Sequence, residues 1–286
     1  MIKSILAGAG VAEAAFETRC LFRFLPGTGR GPADAVLPEA DFIALKRAAR
    51  RRAEGEPLQY ILGEWEFFGL PFYVGEGVLI PRPDTEIIVE QALAAIGSLP
   101  SPRVLDLCAG SGCIAAAVAA HHPHAVVTAV ELFEPAYTYL RRNIDRLRLP
   151  ITAVQADCLK EDESEPWIQN AFDLIVSNPP YIPTETLPHL QREVRREPMA
   201  ALDGGPDGLR FFREIARLWP RHLKPGGSLI LETGDGQARA VCEILKDAGF
   251  SVQTITDYNG LARGVCGRLP GPATPEHPGR NSNPVK

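Results

Sequence analysis

From residue 103 onward, short apolar runs alternate with helical patterns, and that alternation restricts the chain to a mostly parallel sheet buried on both faces. The runs are RVLDL (103–107), VVTAVEL (126–132), ITAVQAD (151–157), FDLIVSN (172–178) and SLILETG (228–234). Two more, SVQTITDY and ARGVCGRL, are separated by a few residues that include Asn259-Gly260. A separation that short predicts an antiparallel hairpin at the end of the sheet. An α/β Rossmann-like fold follows.

The first 62 residues have a different pattern. MIKSILAGAGVAEAAFE reads as a first helix and not a signal peptide, because acidic residues enter by Glu13 and helical spacing continues beyond it. Leu21, Phe22 and Leu25 follow Ala14 and Ala15 at helical spacing. A Gly/Pro loop runs from Pro26 to Pro38, and Phe42, Leu45 and Ala49 mark a further amphipathic helix starting near Pro38. That helix ends in Arg47, Arg50, Arg51 and Arg52, read as a solvated face that compensates the helix dipole. EWEFFGLPFYV (64–74) alternates around Gly69 and Pro71 and reads as a hairpin. It lies within a linker over 63–80, which joins a helical domain (1–62) to an α/β domain (81–269); 270–286, without an apolar face, reads as a disordered tail. IPRPDTE (80–86) leads into a helix that Asp84 or Thr85 can cap.

Composition narrows the function classes. With 286 residues, 45% of them hydrophobic, the chain can bury a sizeable core. A formal net charge of −5 repels polyphosphates, so no stable nucleic-acid partner is expected. The six cysteines, at 20, 108, 113, 158, 242 and 266, show no metal-ligand spacing, and they read as free thiols of a reducing compartment. His121, His122 and His124 cluster at a helix end with no acid or thiol completing a ligand set, so no metal is expected. No apolar run approaches the ~20 residues that span a bilayer, and a cytoplasmic protein without a membrane partner is expected.

The chemistry concentrates at the strand ends. RVLDLCAGSGCIAAAVA is a strand, a turn with Gly110 and Gly112, and an Ala-rich helix whose first N–H groups are free. Glu131 ends the next strand, where a carboxylate accepts both hydroxyls of a ribose. Gly110, Gly112, Ala115 and Glu131 also satisfy a loose dinucleotide fingerprint. Asp106, at the tip of the first strand, repels a pyrophosphate and suits a cationic ligand, and Asp157 ends the third strand within reach of an adenine amino group. An acid after each of three successive strands favours S-adenosylmethionine over a nicotinamide dinucleotide.

The fourth strand runs into Asn178-Pro179-Pro180-Tyr181. Two prolines hold the backbone extended, so the Asn178 side chain and the Pro179 carbonyl both offer acceptors in the crevice beyond the strand ends. Paired acceptors suit a planar NH2 group on which Tyr181 stacks. Gripping both N–H bonds localises electron density on nitrogen, so positioning and electrostatics carry the catalysis without a metal or a covalent nucleophile.

These residues identify a resemblance to the release-factor glutamine methyltransferases, the HemK family. The resemblance covers about residues 10 to 268. It rests on GEPLQYILGEWEF, LIPRPDTE, DLCAGSGCIA, SNPPYI, EPMAALDGGPDGL and ETGDGQ. It implies a class I S-adenosylmethionine-dependent methyltransferase fold, a seven-stranded sheet with its last strand antiparallel, preceded by a small helical domain that docks the substrate. It implies methyl transfer to the side-chain amide nitrogen of the Gln in the Gly-Gly-Gln motif of class 1 peptide chain release factors. Cys108, Ala109, Gly110, Ser111 and Gly112 would wrap the methionine part of the cofactor, Glu131 the ribose, and Asp157 and Cys158 the adenine. Asn178 would stand between cofactor and substrate, and Asn178, Pro179, Pro180 and Tyr181 would clasp the glutamine amide. The chain departs from the family in carrying Cys108-Ala109-Gly110 for Gly-Thr-Gly, Glu131 for Asp, and Cys158 for a larger apolar residue. The nearest alternative is an N6-adenine methyltransferase with the same NPPY chemistry, which would want a target-recognition region and a basic groove.

Overall fold

The computed structural model describes residues 1–24, 38–160, 167–168 and 171–271. Most of the Gly/Pro loop and the tail from 272 lie outside the described residues. The elements run α1 (Ile2–Gly8), α2 (Ala14–Phe24), α3 (Glu39–Ala53), α4 (Leu58–Leu62), β1 (Glu64–Phe67), β2 (Leu70–Tyr73), α5 (Glu86–Ile96), β3 (Arg103–Leu107) and α6 (Cys113–His121). They continue with β4 (Val126–Glu131), α7 (Glu134–Leu147), β5 (Ile151–Gln155), β6 (Phe172–Ser177), α8 (Arg210–Leu218), β7 (Leu223–Glu232), α9 (Ala238–Asp247), β8 (Ser251–Thr256) and β9 (Ala262–Arg268).

Seven strands form one sheet in the order β5-β4-β3-β6-β7-β9-β8. Among the described strands of this sheet β9 alone runs opposite to the rest, antiparallel to both β7 and β8. The chain steps outward from β3 to β5 and returns beside β3 as β6. That reversal opens a crevice beyond the carboxyl ends of β3 and β6, where open α/β sheets bind ligands.

The apolar runs explain why both faces are covered. Ile88, Ile96, Ile114, Val118 and Leu140, from α5, α6 and α7, pack on one face; Phe212, Ile215, Val241 and Leu245, from α8 and α9, pack on the other with Trp219. The N-terminal helices bury their own cluster, which includes Leu6, Leu21, Leu45 and Leu62. Trp65 packs against this cluster and against the first sheet face, while Phe67 and Phe72 of the hairpin belong to the sheet core. Phe68 (φ 50°) and Gly69 (φ 74°) form the hairpin turn, with the paired positive φ values that a tight two-residue turn requires.

Four expectations change. The first helix is two, because the chain breaks after Gly8 and passes through Gly10 at φ 77°, a conformation that ends a right-handed helix. β5 stops at Gln155, since Asp157 turns the chain by accepting the Leu159 N–H at 3.0 Å. Thr85 takes the N-cap position of α5 but no side-chain hydrogen bond caps the helix: Asp84 pairs with Arg263 at 3.1 Å, and Thr85 is buried inward. The Arg cluster is not wholly a solvated face. Arg52 is buried and holds Glu17 at 2.7 Å and Glu193 at 3.1 Å, joining α3 to α2 and to the segment after the NPPY loop. Arg192 and Arg196 reinforce that junction by donating to the carbonyls of Ala53 and Glu54.

Candidate functional site

A cleft of about 350 Å³ opens at the strand ends, within the size range of small-molecule sites. Cys108, Ala109, Gly110, Ser111, Glu131, Asp157, Cys158 and Asn178 all line it. The backbone geometry of the first loop explains its glycines. Gly110 (φ 56°) and Gly112 (φ 80°) both sit in the left-handed region. A β-carbon on Gly112 would also stand 2.5 Å from Leu140 Cδ1 of α7. Cys108 takes φ 57° despite its side chain, an uncommon conformation for a residue with a β-carbon.

The loop is pinned from three sides. Ala109 N–H donates to Val130 O at 2.9 Å, Gly110 N–H to Glu131 Oε2 at 2.8 Å, and Asn143 Nδ2 of α7 to Ser111 O at 2.9 Å. Asn143 also exchanges hydrogen bonds with the Tyr73 backbone, tying the hairpin to the loop. Glu131 thus positions the loop with one carboxylate oxygen while the other accepts the Phe133 N–H at 2.8 Å. Burial raises its pKa, opposed by those backbone donors. Each carboxylate oxygen retains a second lone pair for a ligand hydroxyl.

Asp106 is placed differently from the sequence expectation. It is 1% exposed, does not line the cleft, and accepts the Ala115 N–H from the first turn of α6 at 3.0 Å. Burial pushes its carboxyl up to about 8. It therefore supports the loop from beneath instead of facing a ligand. Because the usual Asp value is near 4 in an unfolded chain, unfolding releases a proton between about pH 4 and about pH 8, and stability falls as pH rises through that window. Melting temperatures measured across it should therefore decline, and Asp106→Asn should flatten the decline without abolishing it, since Glu131 and Glu232 are also raised.

The sulfur atoms of Cys108 and Cys158 lie 3.5 Å apart on the cleft wall. The hydrogen bond to Cys158 and burial push the Cys108 thiol well up. A thiol so raised supplies little thiolate. Alkylation followed by peptide mass mapping should show Cys108 reacting at least about ten times more slowly than a free thiol at neutral pH.

The NPPY loop is held on both sides. Asn178 and Pro180 line the cleft, Pro179 is buried, and the Tyr181 ring lies against Gly234, 3.1 Å from where a β-carbon there would stand. Tyr181 is thus not among the cleft-lining residues. Ile182 N–H donates to Leu202 O and Gly204 N–H to Ile182 O, both at 2.9 Å. A β-carbon on Gly204 would stand 2.7 Å from Tyr181 Cα, and one on Gly208 would collide with the Tyr181 carbonyl. Gln237 Nε2 donates to that same carbonyl at 2.8 Å.

Three further side chains, from segments far apart in sequence, shape the site. Buried Glu197 accepts the Ile80 N–H at 3.0 Å and pairs with Arg82, joining LIPRPDTE to EPMAALDGGPDGL. Thr85 Oγ1 accepts from Asn178 Nδ2 at 3.2 Å. Glu232, buried at the end of β7, has an Oε2 with no partner. Their signal was membership of short Gly-, Pro- and acid-rich motifs far apart in sequence.

The cleft fits S-adenosylmethionine. Among the described residues three carboxylates, Glu131, Asp157 and Asp203, line it, and of its two lining arginines Arg82 is already paired with Glu197. That donor set accepts hydroxyls and an amino group and offers little to a pyrophosphate.

Comparison with known proteins gives the same picture. Residues 1–63 match the family model of the PrmC N-terminal domain and residues 85–199 that of the methyltransferase small domain. The release factor glutamine methyltransferase of Geobacter sulfurreducens is 45% identical over 273 residues, covering 93% of this chain and 94% of that one. Its counterpart in Bordetella pertussis is 39% identical, covering 92% and 97%. Among solved structures, a methyltransferase from Pyrococcus furiosus superposes with TM-score 0.52 at 20% identity, covering 71% of this chain and 91% of that chain. The hMettl16 catalytic domain does so with TM-score 0.57 at 14% identity, covering 83% and 86%; at these identities both speak for the fold alone. With a methyltransferase sheet, a cleft built for a cationic nucleoside and such identity over nearly all of both chains, this chain belongs to the release factor glutamine methyltransferases.

Proposed function

We propose that the chain methylates the side-chain amide nitrogen (N5) of the glutamine in the Gly-Gly-Gln motif of class 1 peptide chain release factors. The observation that carries this reading is that Asn178, its amide held by Thr85, opens onto the same cleft as Glu131 and Asp157. S-adenosylmethionine, when bound, supplies an electrophilic methyl carbon on a sulfonium. Glu131 accepts the ribose hydroxyls, Asp157 and Cys158 meet the adenine, and the Cys108–Gly112 loop surrounds the methionine part. The side-chain carbonyl of Asn178 and the main-chain carbonyl of Pro179 grip the two N–H bonds of the acceptor amide. Their pull localises electron density on an otherwise poor nucleophile and holds it in line. No carboxylate or imidazole lies in the NPPY motif to take the amide proton, which passes to water.

The helices of residues 1–62 serve as the docking domain, the hairpin of 63–80 as the linker, and residues 81–269 as the transferase domain. The partner is a protein and not nucleic acid or membrane, as the net charge of −5 favours, and the reaction belongs to cytoplasmic translation termination. The test is to incubate the chain with S-adenosylmethionine and a class 1 release factor, then map the Gly-Gly-Gln peptide by mass. A methyl group on that glutamine is expected; its absence overturns the substrate assignment.

A further inference from the structure

β6 and β7 are parallel neighbours, with Ser177 level with Leu231. The next residue along each chain is Asn178 or Glu232, the last residue of β7, so these two stand side by side at the end of the sheet. Glu232 is 3% exposed, and one of its carboxylate oxygens has no partner. Thr85, itself 1% exposed, reaches the same point from the start of α5 and accepts the Asn178 Nδ2 hydrogen at 3.2 Å. A threonine hydroxyl that accepts one hydrogen bond still has its own proton to donate. The Thr85 hydroxyl and the Asn178 amide both favour the charged form of the adjacent carboxylate.

A side-chain amide in a ligand cleft has two near-isosteric orientations, and only one presents its carbonyl oxygen. We propose that Glu232, acting with Thr85, is the positioning residue that commits the NH2 of Asn178 to the protein and so turns its carbonyl oxygen toward the acceptor amide. The inference rests on the function proposed above. The carboxylate also draws on the Asn178 N–H bonds, and by conjugation through the amide this makes Oδ1 a stronger acceptor. A neutral glutamine at 232 would supply the size of Glu232 without its charge.

The arrangement also has a pH signature. Burial raises the Glu232 carboxyl to about 7; Asp84 adds to this, and Thr85, Arg82 and Asn178 oppose it. The Tyr181 phenol and the Cys113 thiol also feel Glu232, with Asp235 acting on the first and Asp106 on the second, and both are pushed up by burial. The ionised carboxylate accepts from both donors, whereas the protonated form carries a hydrogen of its own that competes for Thr85 Oγ1. Turnover should therefore rise with pH through about 7.

The test compares the wild type with Glu232→Gln, Thr85→Ser and Thr85→Val. Methyl transfer to a Gly-Gly-Gln peptide is followed from about pH 6 to about pH 9, and S-adenosylmethionine binding is measured separately by calorimetry. Glu232→Gln is expected to lower kcat about tenfold or more, to leave the cofactor Kd within about twofold and to remove the inflection. Thr85→Val should resemble it and Thr85→Ser the wild type. An unchanged kcat, or a retained inflection, in Glu232→Gln overturns the inference. If Glu232→Gln fails to fold, the Thr85 pair decides: equal activity of Thr85→Val and Thr85→Ser overturns it. A wild type that methylates no peptide overturns the functional reading and this inference with it, whereas active wild type beside an unaffected Glu232→Gln overturns this inference alone.

Discussion

Asn178→Ala should bind S-adenosylmethionine within about twofold of the wild type while its turnover falls about a hundredfold or more, the loss typical of deleting one preorganised polar contact at a reacting centre. The asymmetry follows from where the side chain is anchored. The Cys108–Gly112 loop is held by Val130, Glu131 and Asn143, and among the described residues none of these is hydrogen-bonded to Asn178. The side chain of Asn178 is held instead by Thr85. Deleting it removes one of the two acceptors for the glutamine amide and leaves the cofactor cradle standing. Single-turnover methylation at saturating cofactor, with binding measured in parallel, separates the two effects. Methylation at the wild-type rate would show that the paired acceptors are not what activates the amide.

Glu197→Ala should cost stability although it removes nothing from the apolar core. The Glu197 side chain is 2% exposed and accepts from the Ile80 backbone and from Arg82 across more than a hundred residues of sequence. Alanine leaves the Ile80 N–H buried without an acceptor, and a buried donor without a partner costs about 1–3 kcal/mol. Arg82 is one-third exposed, so water recovers part of its lost pairing. A total near 3 kcal/mol corresponds to a fall in Tm of roughly 5 °C for a chain of this size. Glu197→Gln keeps an acceptor for Ile80 and should lose less than half as much. If Glu197→Ala melts within about 2 °C of the wild type, this carboxylate is not what joins the two loops.

The readable part of the site lay at strand ends. Apolar runs fixed where β3, β4 and β6 finish, and in a parallel sheet that alone sets Gly110, Glu131 and Asn178 on one edge. Asp106 shows how far such reading goes. It stands beside Leu107 at the same strand end, but β3 is buried on both faces, so no polar alternation reveals which way a side chain points. The Arg cluster repeats the lesson, since Arg52 differs from Arg51 only by which side of α3 meets Glu17 and Glu193.

By itself, then, the sequence determined the order of the elements, the crevice at the sheet reversal and the residues on its rim, because hydrophobic period and turn chemistry are local properties. Only the tertiary structure decided what holds those residues in place. The contacts of Thr85 with Asn178, Glu197 with Ile80, and Asn143 with Ser111 and Tyr73 join segments from 32 to 117 positions apart. A hydrogen bond of that kind leaves no periodic trace in the chain. It exists only once burial has removed water as the competing partner.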